Sequence, residues 1–200
     1  MRKLSLVFGV LVLGVGLAIW CAPGGVGAED KESFTNLIGK DLTGWEVMNM
    51  PKDQWTVEDG VLIYLGKGNG WLRTEKPYTN FVLRVEWRFL KAPYDSGLFI
   101  RAGTEGSPWP KSGYQLQMAK GSEGTGVPGA KNAASTIKAP PEWNKWEVTV
   151  NGDEVTLVSN GEKVYTGKGA KVAAGHIGWQ AEGHRLEVRK CEIKVLVDEK

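Results

Sequence analysis

The stretch Phe81-Val82-Leu83-Arg84-Val85-Glu86-Trp87-Arg88-Phe89 decides the fold. Phe81, Leu83, Val85, Trp87 and Phe89 share one parity, and Arg84, Glu86 and Arg88 share the other. Successive side chains of a strand point to opposite faces, so this is a long strand with one buried and one wet face. The alternation returns in Trp146-Glu147-Val148-Thr149-Val150 and in Leu186-Glu187-Val188-Arg189. Strands of a parallel sheet are covered on both faces and read as apolar throughout; these belong to antiparallel sheets.

Turn signals cut the chain at short intervals. Asp59-Gly60 separates Trp55-Thr56-Val57 from Val61-Leu62-Ile63, while Asn151-Gly152 and Asn160-Gly161 bracket Val155-Thr156-Leu157-Val158. Such pairs accept the positive φ of tight hairpins, which predicts a meander over 145–166. No window sustains a helical period. About eleven short strands then predict an all-β antiparallel sandwich. The stretch 120–141 is rich in Gly, Ala, Ser and Pro without a strand pattern, and a loop of that length is usually functional or disordered.

The N-terminus reads as an export signal. Arg2 and Lys3 precede an apolar run over 4–20, and Val26-Gly27-Ala28 offers the small side chains a leader peptidase needs. This predicts a signal peptide over 1–28, one domain over 29–200, and a periplasmic, cell-envelope or secreted protein. A membrane anchor is the alternative, since the run approaches the roughly 20 residues a span requires. Gly9, Gly14 and Gly16 favour cleavage, which leaves no integral span. Cys21 opens a lipoprotein alternative, but Trp20 stands where lipidation takes a small residue. Cleavage would leave Cys191 without an intrachain disulfide partner.

The net charge of +2, with scattered basic residues, excludes a nucleic-acid footprint. No cysteine–histidine cluster points to zinc. Asp153-Glu154 beside Asn151-Gly152 reads as turn chemistry rather than a calcium site, so neither metal nor cofactor is expected. Nine tryptophans are many for 200 residues. Some must fill a core, yet aromatic rings also stack on the C–H faces of sugars. Trp71 and Trp109, in glycine- or proline-rich surroundings, are candidate stacking platforms; Trp45, Trp55, Trp87 and Trp146 fit the core.

Ordered blocks along the chain carry a family resemblance. They include Phe34-Thr35-Asn36-Leu37, Asp41-Leu42-Thr43-Gly44-Trp45, Gly70-Trp71-Leu72-Arg73-Thr74, Asp95-Ser96-Gly97-Leu98-Phe99-Ile100-Arg101, Gly113-Tyr114-Gln115-Leu116-Gln117 and Gly175-His176-Ile177-Gly178-Trp179-Gln180. The series resembles the 3-keto-disaccharide hydrolase family, whose fold is a concanavalin A-like jelly-roll sandwich. The resemblance implies an exported protein that hydrolyses glycosides already oxidised at C3. The family commonly carries an acid at the position of Gln115 and another near Lys120, so the acidic pair is missing here. Near the C-terminus some members carry His and others Glu; this chain has Glu182.

A 3-keto group acidifies the C2 proton, so the chemistry needs a base with raised pKa and a donor for the enolate. Glu86 and Glu182 are the candidate acid/base residues, and Arg101 the electrostatic support. Glu86 also fits a cross-strand charge ladder, and Arg101 a salt bridge to it. Gln115, Gln117 and Gln180 each donate and accept, which suits hydroxyl recognition, and Tyr114 lies beside them. His176 and His184 read as surface or turn residues. The partner would be a mono- or oligosaccharide. A non-catalytic carbohydrate-binding module on the same scaffold is the alternative, and an extracellular protein-interaction domain a third. A retaining or inverting glucanase is disfavoured, because no strand pairs carboxylates across a glycosidic bond.

Overall fold

The structure is a computed structural model and describes residues 33–130 and 135–197. The leader expected over 1–28 lies outside the described residues. Two antiparallel sheets face each other. The wide sheet runs β11 (Glu162–Gly167), β10 (Glu154–Ser159), β9 (Asn144–Asn151), β6 (Phe81–Phe89), β13 (Leu186–Val195), β4 (Val61–Tyr64), β3 (Trp55–Glu58), with β1 (Thr35–Asn36) pairing on β13. The narrow sheet runs β2 (Trp45–Met48), β5 (Asn69–Thr74), β12 (His176–Glu182), β7 (Gly97–Ala102), β8 (Tyr114–Gln117). This is the antiparallel β-sandwich the alternation predicts, with thirteen strands among the described residues rather than about eleven. Helix among them is limited to one 3-10 turn, Lys52–Gln54, and none is long and apolar enough to cross a membrane.

The core lies between the sheets. Phe81, Leu83, Val85, Trp87 and Phe89 are all buried, as their parity requires. They meet Leu98, Ile100, Leu116, Ile177 and Trp179 of the narrow sheet. Trp87 meets Trp146 edge to face at 5.3 Å, and Trp55 stacks on Tyr64 at 5.1 Å. The meander forms as expected, β9 to β10 to β11. At Asn160-Gly161 the angles are φ 51° and 91°, so both central residues of the turn occupy the left-handed region that an Asn-Gly pair tolerates.

The outer face of the wide sheet is a charge ladder. Arg84 pairs with Glu147 at 2.7 Å, and Arg88 with Glu187 at 2.8 Å. A bulge between Val188 and Lys190 turns Arg189 outward, where it meets Glu86 at 2.6 Å. Lys145 approaches Glu86 from the other side at 3.6 Å. The guanidinium groups of Arg88 and Arg189 each lie 4.4 Å from the centre of the Trp143 ring.

The stretch 120–141, read as functional or disordered, has a structural part. Gly124 donates to the Gln117 carbonyl at 2.7 Å, so the segment runs along the free edge of β8. Val127 and Ile137 are buried, and Asn160 donates to the Thr136 carbonyl at 2.9 Å, tying the segment to the β10–β11 turn. At its centre the buried Glu123 carboxylate accepts from Trp146 Nε1 at 2.9 Å and from the Thr136 amide at 2.7 Å. The described part of the stretch therefore seals the side of the sandwich where β8 and β11 leave edges unpaired.

Candidate functional site

The outer face of the narrow sheet carries the other polar constellation. Strand register lays its side chains in rows. One row reads Glu46, Arg73, Gly178, Phe99, Gln115; the next sets Met48 beside Trp71, Trp71 beside Gln180, and Gly97 beside Gln117. The glycines in these rows leave room that large side chains lie across. A Cβ at 178 would stand 2.6 Å from the Trp71 ring, and one at 97 would stand 2.4 Å from Gln115 Nε2. Phe99 meets Trp71 edge to face at 5.6 Å. The loop from β7 to β8 folds over this aromatic floor, bringing Trp109 against it, with Trp109 Nε1 donating to the Ala181 carbonyl at 3.4 Å. Asn49 latches the loop by donating to the carbonyls of Gly106 and Pro108 at 2.9 and 3.1 Å.

Beside that floor, five polar side chains form one continuous hydrogen-bonded chain. Gln115 Nε2 donates to Gln117 Oε1 at 2.7 Å and to Gln180 Oε1 at 2.8 Å. Gln117 donates in turn to Asp95, and Gln180 to Glu182 at 2.8 Å. Asp95 comes from the loop before β7, and the neighbouring Ser96 hydroxyl fixes that loop by donating to the Gln180 carbonyl at 2.8 Å. One N–H on Gln117, the Gln115 carbonyl oxygen and the second oxygens of Asp95 and Glu182 are not used within the chain, while Gln180 is buried beneath it. Burial pushes the Glu182 carboxyl above the ordinary carboxylate range, and the Asp95 charge adds to it against the opposing pull of His184. A hollow of about 110 Å³ opens beside Gln115, with Phe99, Lys111 and Ser112 in its wall. Lys111 forms no ion pair with a carboxylate among the described residues.

The expected site residues divide between places. Gln115, Gln117, Gln180 and Glu182 come together. Glu86 does not join them: it lies on the outer face of the wide sheet, so the expectation of Glu86 as an acid/base beside Glu182 is corrected. Burial opposes its ionisation, but the Arg189 hydrogen bond and the charges of Arg189 and Lys145 outweigh that and hold it below the ordinary range. A proton shuttle needs the opposite shift; the ladder reading describes this residue.

Arg101 is displaced as well. Its backbone adopts φ 48° at the point where the β7–β12 register shifts, which turns the side chain away from the row of Phe99. Its guanidinium donates to the carbonyls of Thr79 (2.9 Å), Lys171 (2.9 Å) and Gly152 (2.7 Å) and to Asn80 Oδ1 (3.0 Å). It hydrogen-bonds none of the glutamines and forms no salt bridge to Glu86; it ties three loops together. Arg101→Ala is expected to leave those acceptors unmatched and to cost roughly 3 kcal/mol in chemical denaturation. A loss under about 0.5 kcal/mol would show the loops hold without it.

Tyr114 faces the other way from Gln115, and its hydroxyl accepts from the Lys171 amide at 2.6 Å. Trp71 is wholly covered, so it supports the floor and offers no open ring face; Trp109 is half-buried above it. Asp95, Lys111 and Asn49 were not selected by sequence reasoning. Asp95 sits in the quoted Asp95-Ser96-Gly97 block, and that block is the one signal that pointed to it.

A second cluster occupies the far side of the same face. His176 Nδ1 lies 2.7 Å from the Thr74 carbonyl, which can only accept, so Nδ1 carries the proton and Nε2 accepts from Arg73 at 3.2 Å. Arg73 also pairs with Glu46. Burial first, then the Arg73 charge, lowers the His176 pKa, so the ring is neutral and structural. Among the described residues no three His, Cys, Asp or Glu side chains gather as a metal cage. Cys191 is buried in the core, where burial pushes its thiol pKa up.

Comparison with solved structures returns sandwiches of the same type. Two candidate glycosyl hydrolases of Parabacteroides distasonis superpose with TM-scores of 0.69 and 0.68 at 23% and 20% identity. The first match covers 83% of this chain and 95% of the other, the second 82% and 100%. The carbohydrate-binding module CBM66 of Bacillus subtilis follows at TM-score 0.60 and 10% identity, over 76% of this chain and 95% of the module. At these identities the likeness establishes the fold alone, an antiparallel β-sandwich. No curated protein matches the chain. The model of the 3-keto-alpha-glucoside-1,2-lyase-like domain matches residues 32–194, which is most of the sequence. The chain belongs to that family.

Proposed function

We propose that the outer face of the narrow sheet binds a 3-keto-glycoside and cleaves its glycosidic bond, with Glu182 as the acid/base residue. The observation that carries this is Glu182 itself: a carboxylate with raised proton affinity, held by Gln180 at the end of an amide chain suited to sugar hydroxyls. The C3 carbonyl acidifies C2–H. Glu182 takes that proton, and the electron pair moves into the enolate. The free N–H of Gln117 faces the developing oxyanion, and Lys111 supplies positive charge nearby. Collapse of the enolate breaks the C1–O bond, the leaving oxygen takes a proton, and water adds across C1–C2, so the net change is hydrolysis. On this reading residues 1–28 are a leader, 29–200 the domain, and the protein acts outside the cytoplasm.

One observation favours a second reading. Gln115 stands where the family commonly carries an acid, which suits a non-catalytic sugar-binding module on the same scaffold. Purified protein incubated with 3-keto-trehalose or a 3-keto-glucoside separates the two. Release of free sugar is expected; saturable binding without release supports the module, and neither outcome removes the sugar assignment altogether.

A further inference from the structure

The glutamine chain has a direction, and Gln115 sets it. An amide nitrogen has two hydrogens, and Gln115 gives one to Gln117 Oε1 and one to Gln180 Oε1. With both carbonyls occupied, the nitrogens of Gln117 and Gln180 turn outward to Asp95 and Glu182. The backbone makes space for this hub, because Gln115 lies across Gly97, where a Cβ would come within 2.4 Å of its amide nitrogen. Two carboxylates thus sit at the ends of one relay, each held by a neutral donor.

We propose that Asp95 is a positioning residue that acts through Glu182, the two forming a carboxylate pair whose polarity Gln115 fixes. This deepens the reading of Glu182 as acid/base, on which its catalytic meaning rests. An acid at 115 has no hydrogens to give. It would accept from Gln117 and Gln180, rotate both amides inward, strip the donors from Asp95 and Glu182, and add a third negative charge. Gln115 therefore marks a chain that keeps its carboxylates at the relay's ends instead of its centre.

The groups facing Glu182 are few. Asp95 acts on it by charge from the far end of the relay, and Gln180 and His184 flank it along the chain. From β4, Tyr64 accepts from the Gly183 amide at 3.1 Å, and Asn69 of β5 lies opposite in register. Carbon-detected NMR titration of the Glu182 carboxyl reads the pair without substrate. Asp95→Asn is expected to lower the Glu182 midpoint, and Gln115→Glu to raise it, each by roughly half a unit or more. Gln115→Met, which fills the site but cannot donate, should fall between wild type and Gln115→Glu, and it decides the matter should the acid at 115 fail to fold. A Glu182 midpoint unmoved by Asp95→Asn, or by the variants at 115, overturns the proposal. Lack of turnover on 3-keto-glycosides would sink the functional reading and leave this titration to stand or fall alone. In an active protein, the acid limb of the pH–rate profile should follow the same shifts.

Discussion

Glu182→Gln is expected to lower turnover of a 3-keto-glucoside by about 10²–10⁴-fold, the usual loss when a positioned acid/base is removed. The substitution keeps the side chain's length and its place opposite Asn69. Gln180 can still donate to the new carbonyl, so the relay persists and the fold should not change. What disappears is proton transfer at C2. KM should move far less than kcat, because the hydroxyl contacts of Gln115, Gln117 and Gln180 remain. Glu86→Gln makes the contrast. It breaks half-exposed pairs with Arg189 and Lys145 on the other side of the sandwich, and kcat should stay within about twofold. Equal loss in both variants, measured by release of free sugar, would place the acid/base elsewhere.

The largest stability effect is expected at Trp146. Its ring is 2% exposed, meets Trp87 edge to face, and donates from Nε1 both to Glu123 at 2.9 Å and to Ser159 Oγ at 3.0 Å. Truncation to alanine opens a cavity worth about 3–5 kcal/mol. It also strips a donor from a buried carboxylate, adding about 1–3 kcal/mol. Domains of this kind hold only about 5–15 kcal/mol in total, so Trp146→Ala should barely fold. Trp146→Phe weights the two causes differently, since it keeps a six-membered ring in the core while removing the N–H and leaving a smaller cavity. It should lose about 1–3 kcal/mol in urea unfolding and expose the segment around Glu123 to protease. Wild-type stability in Trp146→Phe would show that Glu123 does not depend on that donor.

The sandwich was legible because strand alternation has a period of two and core burial follows it without exception from Phe81 to Phe89. The Asn160-Gly161 turn was legible because few residue pairs accept its φ values. Parity does not say which sheet a strand joins. A sandwich has two polar outer faces, so Glu86 and Gln115 share a character without sharing a surface. Arg101 departs from its expected face for a related reason: alternation assumes regular pairing, and the register shift beside it, with φ 48°, breaks the rule locally. Glycines around Trp71 suggest an open platform in sequence, yet in the fold they let the ring lie flat and let a loop cover it. Asp95 lies outside any strand, where no period applies. The buried Glu123 inside a Gly- and Ser-rich stretch shows the same limit, since composition marks a loop but not what it seals.

The most direct measurement follows side-chain amide signals by NMR while a non-turned-over 3-keto-sugar is added to Glu182→Gln protein. Shifts concentrated in the amides of Gln115, Gln117 and Gln180 are expected, with the indole of Trp109 moving beside them. Shifts confined to Trp143 and the neighbouring charge ladder, with the glutamine amides unmoved, would contradict the placement of the sugar on the narrow sheet.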